Sequence, residues 1–231
     1  IQNGFISLYG DDIYSKKDFG NILKNKYSIL VKKMKNPQLF GVVVEKGRIL
    51  ADLIEKPQKF ISNLVNAGLY KLDKKIFQLL KSLRKSKRNE YELTDAIKIF
   101  SKNNSIYCVM SKQWLPIASA FDLLKADMAV RKNKIIIGKK SEIRGNVRNS
   151  SVGNGCIISG SIRNSIIMDR AVLGNNSIVA NSIIGDNACF SGRMSNAVIA
   201  DNSKIKNSTV KNCKIWPNKT ISNKNITSDV K

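Results

Sequence analysis

The chain has 231 residues, 42% of them hydrophobic, enough for one large domain or two modest ones with a sizeable core. It contains no apolar run of the roughly 18 residues that an α-helical membrane span requires and no basic-then-apolar leader, so a soluble, cytoplasmic protein is expected. Forty Lys and Arg against seventeen Asp and Glu give a formal charge of +23, but the lysines are scattered among Asn and Ile without interleaved aromatics, which argues against a nucleic-acid module.

From Ile1 onward, short strand-like runs alternate with helical ones, the pattern of an α/β layer structure with a mostly parallel sheet. Strands are expected at 5–9, 27–32, 40–45, 49–55, 66–71 and 106–110. Helices are expected at 74–84, where Ile76, Phe77, Leu79, Leu80 and Leu83 share a face, at 93–102, opened by Thr94 and Asp95, and at 120–131. The chain opens directly in the apolar pattern Phe5-Ile6-Ser7-Leu8-Tyr9 without an initiator Met, as a fragment would. The basic stretch Arg131-Lys132-Asn133-Lys134 marks the expected boundary, giving domains 1–131 and 132–231. The four cysteines, Cys108, Cys156, Cys189 and Cys213, lie far apart and have no His to complete a zinc site, so they read as reduced core residues.

Past the boundary, aliphatic residues recur about every five or six positions, from Val152, Ile158 and Ile167 to Val210, Ile215 and Ile221. A coarser repeat shows in Asn149-Ser150-Ser151-Val152, Asn164-Ser165-Ile166-Ile167, Asn181-Ser182-Ile183-Ile184 and Asn207-Ser208-Thr209-Val210. This periodicity describes a triangular left-handed parallel β-helix of hexapeptide repeats, with one aliphatic side chain per face pointing inward. Small residues such as Cys156, Ser177, Ala188 and Ser203 fill the remaining interior. Gly153, Gly174 and Gly185 each directly follow an apolar residue, Gly and Asn suit corners that need positive φ, and Trp216 is placed to cap the open core.

Several segments of the first domain stand in a telling order: Leu8-Tyr9-Gly10-Asp11-Asp12, Phe40-Gly41-Val42-Val43, Glu55-Lys56-Pro57, Asn66-Ala67-Gly68-Leu69-Tyr70, Arg88-Asn89-Glu90-Tyr91-Glu92-Leu93-Thr94-Asp95 and Trp114-Leu115-Pro116. None carries weight alone; together they resemble the nucleotidylyltransferases that join a nucleoside triphosphate to a sugar 1-phosphate with release of pyrophosphate. The resemblance covers about 130 residues and implies a partial Rossmann-like (GT-A-like) α/β nucleotidyltransferase domain ahead of the β-helix. It implies that Asp11, at the carboxyl edge of a strand, is the catalytic carboxylate holding Mg²⁺. It assigns sugar hydroxyls to Glu55, the sugar phosphate to Lys56 and Arg88, and close backbone approach to the sugar to Gly41 and Gly68. Read without their neighbours, the Glu55 triplet is a strand end before a Pro turn, and the cations around Arg88 are a solvated charge run.

Two departures stand out. The family's glycine-rich G-x-G-T-R-M phosphate loop belongs upstream of Ile1, so this chain alone is expected to be inactive. The family's W-x-D-x-G-T-P segment reads Trp114-Leu115-Pro116-Ile117-Ala118-Ser119-Ala120 here, with proline where relatives place a second metal-binding Asp. The solenoid also resembles that of acyltransferases, which use a His base, but the chain has no His. The solenoid is therefore read as an assembly surface for a homo-oligomer. The competing function is a catalytically silent regulatory or assembly subunit with the same fold.

Overall fold

The computed structural model describes residues 4–231; Ile1, where the first domain is taken to begin, lies outside them. The chain forms two compact units, one ending at Pro116 and the other spanning Ile117–Lys231. Among the described residues no helix is long and apolar enough to cross a membrane.

In the first unit, strands β1 (Phe5–Leu8), β2 (Ser28–Lys33), β3 (Gly41–Lys46), β4 (Ile49–Glu55), β5 (Leu64–Leu72) and β6 (Tyr107–Met110) form one sheet in the order β1-β5-β2-β6-β4-β3. Its helices are α1 (Lys16–Ile22), α2 (Lys75–Lys81) and α3 (Leu93–Ser101). The alternation expected of half-buried strands is clear along β5: Val65, Ala67 and Leu69 enter one core with Ile22, Leu30 and Trp114, while Leu64, Tyr70 and Leu72 enter the other with Ile76, Ile97 and Phe100. The two faces are thereby covered by helices on opposite sides of the sheet.

The expected mostly parallel sheet is corrected: only β2 and β6 pair in parallel, and every other pairing is antiparallel. The reason is local. Gly47 and Arg48, at φ 56° and 66°, make a tight turn that folds β3 back on β4, and a chain that turns in two residues has no room for the crossover a parallel pair needs. The sequence reading also passed over α1, whose signal is Ser15-Lys16-Lys17-Asp18. Ser15 Oγ accepts from the Asp18 amide at 3.2 Å and the Asp18 carboxylate accepts from the Ser15 amide at 3.1 Å, a reciprocal capping box.

In the second unit a helix, α4 (Ala120–Val130), precedes a parallel β-helix. Helix α4 thus groups with the solenoid as one compact unit. The Asp127 carboxylate accepts from Ser151 and pairs with Arg131 at 2.7 Å, and Arg131 in turn donates to the Asn149 carbonyl and side-chain oxygens at 2.7 Å, so the helix is fastened to the first coils.

The solenoid has three faces, stacked in register so that Ile136, Ser151, Ile166, Ile183, Val198 and Lys214 follow one another on one of them. Inside, Val152, Ile158, Ile167, Leu173, Ile184, Phe190, Ile199, Ile205 and Ile215 are buried, as the periodicity requires, and each fully buried aliphatic stabilises the fold by roughly 1.5–3 kcal/mol. Cys156, Ser177, Ala188 and Ser203 fill the remaining interior. Buried hydroxyls are satisfied between coils: Ser150 Oγ donates to the Arg148 carbonyl at 2.8 Å and accepts from the Ser165 amide at 3.0 Å, and Ser165 and Ser182 repeat the arrangement one coil on each time.

Of the Gly and Asn expected at corners of positive φ, the asparagines adopt it and Gly153, Gly174 and Gly185 do not. Asn149, Asn164, Asn181, Asn196 and Asn212 all lie at φ of 43–53° and bond side chain to side chain, Asn149 to Asn164 at 2.7 Å and Asn164 to Asn181 at 3.1 Å. Gly153 and Gly185 are required for space instead. A Cβ on either would fall 2.3 Å from a carboxylate oxygen, of Asp169 or Asp201, and 2.7 Å from the same residue's amide. Trp216 is 51% exposed and caps nothing; Ile221, Ile226 and Val230 close the core at that end.

Candidate active site in the first unit

The turn after β1 carries Tyr9-Gly10-Asp11-Asp12. Tyr9 donates its amide to the Gly68 carbonyl at 3.1 Å, and its ring lies so close over Gly68 that a Cβ there would be 2.1 Å from Tyr9 Cδ2. Gly68, at φ 68°, thus meets its requirement against Tyr9. Asn66 holds this turn of β5 from inside: its Oδ1 accepts from the Gly68 amide at 2.9 Å and its Nδ2 donates to the Tyr70 hydroxyl at 2.6 Å. Burial, then the nearby Tyr9 phenol, pushes the Tyr70 hydroxyl far above the usual tyrosine range, so it stays a neutral donor and acceptor.

Gly41 and Glu55 face each other across the β3–β4 pair. A Cβ on Gly41 would lie 2.9 Å from Glu55 Oε2, 3.3 Å from Thr94 Cγ2 and 3.6 Å from Asn66 Cβ, so four residues from three strands and the start of α3 converge on one point. Arg88 reaches the same place: its guanidinium lies 3.7 Å from Glu55, 3.5 Å from Glu92 and 2.9 Å from Glu90. Burial, reinforced by the Glu92 charge, raises the Glu55 carboxyl above the usual glutamate range, with the Thr94 hydroxyl, Lys56 and Arg88 opposing. Thr94 Oγ1 is buried beside this cluster without a hydrogen-bond partner of good geometry.

Tyr9 links the two groups, since both the Glu55 and the Asp12 charges act on its phenol. Asp12 Oδ2 accepts from Trp114 Nε1 at 2.7 Å, and Ile13 and Leu115 form an antiparallel bridge with paired bonds of 3.1 and 3.0 Å. Pro116 therefore comes opposite Asp12 on the neighbouring backbone.

Of the residues singled out in the sequence, Gly41, Glu55 and Arg88 are together, with Lys56 at φ 40°, exposed, within electrostatic reach of Glu55. Gly68 is tied to the cluster through Tyr9 and Asn66. Asp11 is exposed on its turn, and among the described residues none bonds or pairs with it. Thr94, Asn66, Tyr9, Tyr70 and Glu92 had been given no role. Asn66 and Thr94 carried a readable signal, polar side chains inside otherwise apolar stretches of strand and helix.

Among the described residues no three Asp, Glu, Cys or His side chains form a metal cage. Asp12 is taken up by Trp114, which leaves Asp11 as a single accessible carboxylate. That donor set fits Mg²⁺, which binds through one or two carboxylates plus substrate phosphates, and does not fit a cation held by protein alone.

The raised Glu55 carboxyl has a consequence for stability. An acid whose folded pKa lies above its unfolded value, about 4.3, favours the folded state when protonated and costs stability as pH rises through the folded pKa. Glu55→Gln is therefore expected to unfold at higher denaturant concentration than the parent chain at pH 7, with the difference shrinking toward pH 4. Urea titrations at several pH values test this, and a pH-independent difference would contradict it.

A mixed sheet carrying a carboxylate turn at one strand end and a glycine-lined acid–base cluster beside it makes an α/β domain that is followed by a hexapeptide solenoid. The chain belongs to the nucleotidyl transferase family, whose model matches residues 2–133, and a model described as GlmU-like, C-terminal hexapeptide, matches residues 133–229. It is 37% identical over 161 residues to the bifunctional protein GlmU of Methanocaldococcus jannaschii, covering 68% of this chain and 38% of that protein. It is 32% identical over 145 residues to a bifunctional sugar-1-phosphate nucleotidylyltransferase/acetyltransferase of Sulfurisphaera tokodaii, covering 61% and 36%. The chain thus spans less than two-fifths of either relative's length in the matched region. The crystal structure of UDP-glucose pyrophosphorylase complexed with UDP-glucose shares the fold, with a TM-score of 0.50 at 23% identity over 58% of each chain.

Proposed function

We propose that the protein to which this chain belongs transfers a nucleotidyl group from a nucleoside triphosphate to a sugar 1-phosphate. A phosphate oxygen of the sugar 1-phosphate attacks the α-phosphorus, the α–β phosphoanhydride bond breaks, and pyrophosphate leaves with the electron pair. The observation that carries this reading is the convergence of Glu55, Arg88 and the buried Thr94 hydroxyl on the face of Gly41. Glu55 accepts from sugar hydroxyls, and Gly41 leaves room for the ring. Arg88 and Lys56 meet the phosphate, which must compete with Glu90 and Glu92 for the guanidinium. Asp11 is the residue that would hold Mg²⁺, which when bound neutralises charge on the phosphates. The solenoid serves as the surface for homo-oligomer assembly, and the cytoplasm is the expected compartment.

Calorimetric titration of the chain with sugar 1-phosphates tests the reading. Binding that Arg88→Ala weakens about tenfold or more is expected; a folded chain that binds none of them rejects it. A second reading, a catalytically silent assembly subunit, is favoured by Pro116. It predicts a stable protein partner and sugar-phosphate binding, if any, that is indifferent to Mg²⁺.

A further inference from the structure

One face of the solenoid is built from 146–148, 161–163, 178–180 and the later parts of the two long strands Cys189–Ser195 and Lys204–Lys211, ending at Asn225–Ile226. Its inward residues are apolar, and its outward residues include Arg148, Arg163, Arg193 and Lys211 but no carboxylate. Arg148 and Arg163 are register partners on adjacent parallel strands, about 4.8 Å apart at the backbone. Like charges directly opposite each other on a sheet repel, and among the described residues neither guanidinium has an ion-pair partner. Arg144, by contrast, pairs with Glu142 at 2.7 Å, while Arg170 donates to the Asn187 side chain at 2.7 Å. The two unpaired guanidiniums line a concavity of about 370 Å³ with Ser161, Asn146 and the 46% exposed Ile178.

We propose that this concavity is a phosphate-binding site, in which Arg148 and Arg163 together hold the phosphate or diphosphate group of a small molecule. A tetrahedral oxyanion offers both planar forks an acceptor edge at once and removes the repulsion between them. Ser161 and Asn146 add hydroxyl and amide donors at the rim. The rigid, fully packed interior beneath holds the two side-chain bases at fixed separation, so little ordering is needed on binding. The site shares no residue with the nucleotidyl-transfer cluster and stands independently of that assignment. It requires no histidine and no covalent step.

The test is calorimetric titration of the whole chain with pyrophosphate and, separately, with a nucleoside monophosphate, which distinguishes a free inorganic anion from a phosphate ester. Arg148→Gln combined with Arg163→Gln is expected to weaken binding of at least one of them tenfold or more. Lys139→Gln combined with Lys140→Gln, which removes the same charge from another corner of the solenoid, is expected to change it less than about twofold. Equal losses in the two double variants, no loss in the first, or Arg148-dependent binding of a single-stranded oligonucleotide alone would each overturn the proposal. Thermal melting supplies a second readout. In phosphate-free buffer the single Arg163→Gln variant should melt above the parent chain, and added pyrophosphate should close the gap; a variant that melts lower would sink the idea.

Discussion

In the Pro116→Asp variant, divalent cations are expected to bind at least tenfold more tightly than in the parent chain. The bridge between Ile13 and Leu115 sets residue 116 opposite Asp12, on backbone adjoining the turn that presents Asp11. An aspartate there would add a second carboxylate to a site that now offers one. At 4 Å a unit charge pair interacts by about 1 kcal/mol even in bulk water, and a dication doubles this, which exceeds the roughly 1.4 kcal/mol that a tenfold gain requires. Paramagnetic titration with Mn²⁺ measures the affinity without any turnover. Asp11→Asn in the same background should cancel the gain; an unchanged affinity on adding the aspartate would show that residue 116 does not face the cation.

Asp18→Ala should cost the first unit about 3 kcal/mol or more, the largest stability loss expected of a single carboxylate here. Asp18 is fully buried, and it accepts from the Lys112 amide at 2.6 Å, the Gln113 amide at 3.3 Å, the Ser15 amide at 3.1 Å and the Ser15 hydroxyl at 2.7 Å. It ties the start of α1 to a segment more than ninety residues away, next to Trp114 and the Ile13–Leu115 bridge. An alanine would leave those buried amides without acceptors. Burial alone would raise the Asp18 carboxyl, but the bonds from Lys112 and Ser15 outweigh it and hold it below the usual aspartate range. The contribution is therefore present above the unfolded pKa of about 3.9 and is lost as pH falls through the lower folded value. Urea denaturation of parent and variant should converge in strong acid and diverge above about pH 4; a constant gap would contradict the assignment.

These two residues show where the sequence was legible and where it was not. Elements with a strong hydrophobic period, β4 and α3, stand within a residue of their expected bounds, and the aliphatic residues of the solenoid period face its interior, because burial alone dictates them. Strand direction was misread because alternating strands and helices look the same whether the sheet is parallel or mixed, and only the Gly47-Arg48 turn distinguishes them. Helix α1 was missed although its capping box is written in Ser15 and Asp18, since seven residues are too few for a helical period to show. At the candidate site, Glu55 and Gly41 were recognisable by resemblance. The contribution of Asn66 and Thr94 depends on which of their neighbours come close in space, and spacing along the chain does not contain that. The corner glycines were misjudged for a related reason: a glycine required by a carboxylate in the next coil looks, in one dimension, like a glycine required by its own φ.

The asparagine and serine columns have a consequence for how such a chain can change length. Asn149, Asn164 and Asn181 bond in succession from coil to coil, as do Ser150, Ser165 and Ser182, so along this stretch the columns recognise only the kind of residue that follows, not its place in the order. Excising the circuit that holds Asn164 and Ser165 brings Asn149 against Asn181 and Ser150 against Ser182, leaving the severed ends healed. Losing half a circuit instead turns corners into walls and sends isoleucines outward, so the molecule tolerates growth and trimming only in whole steps of its own staircase.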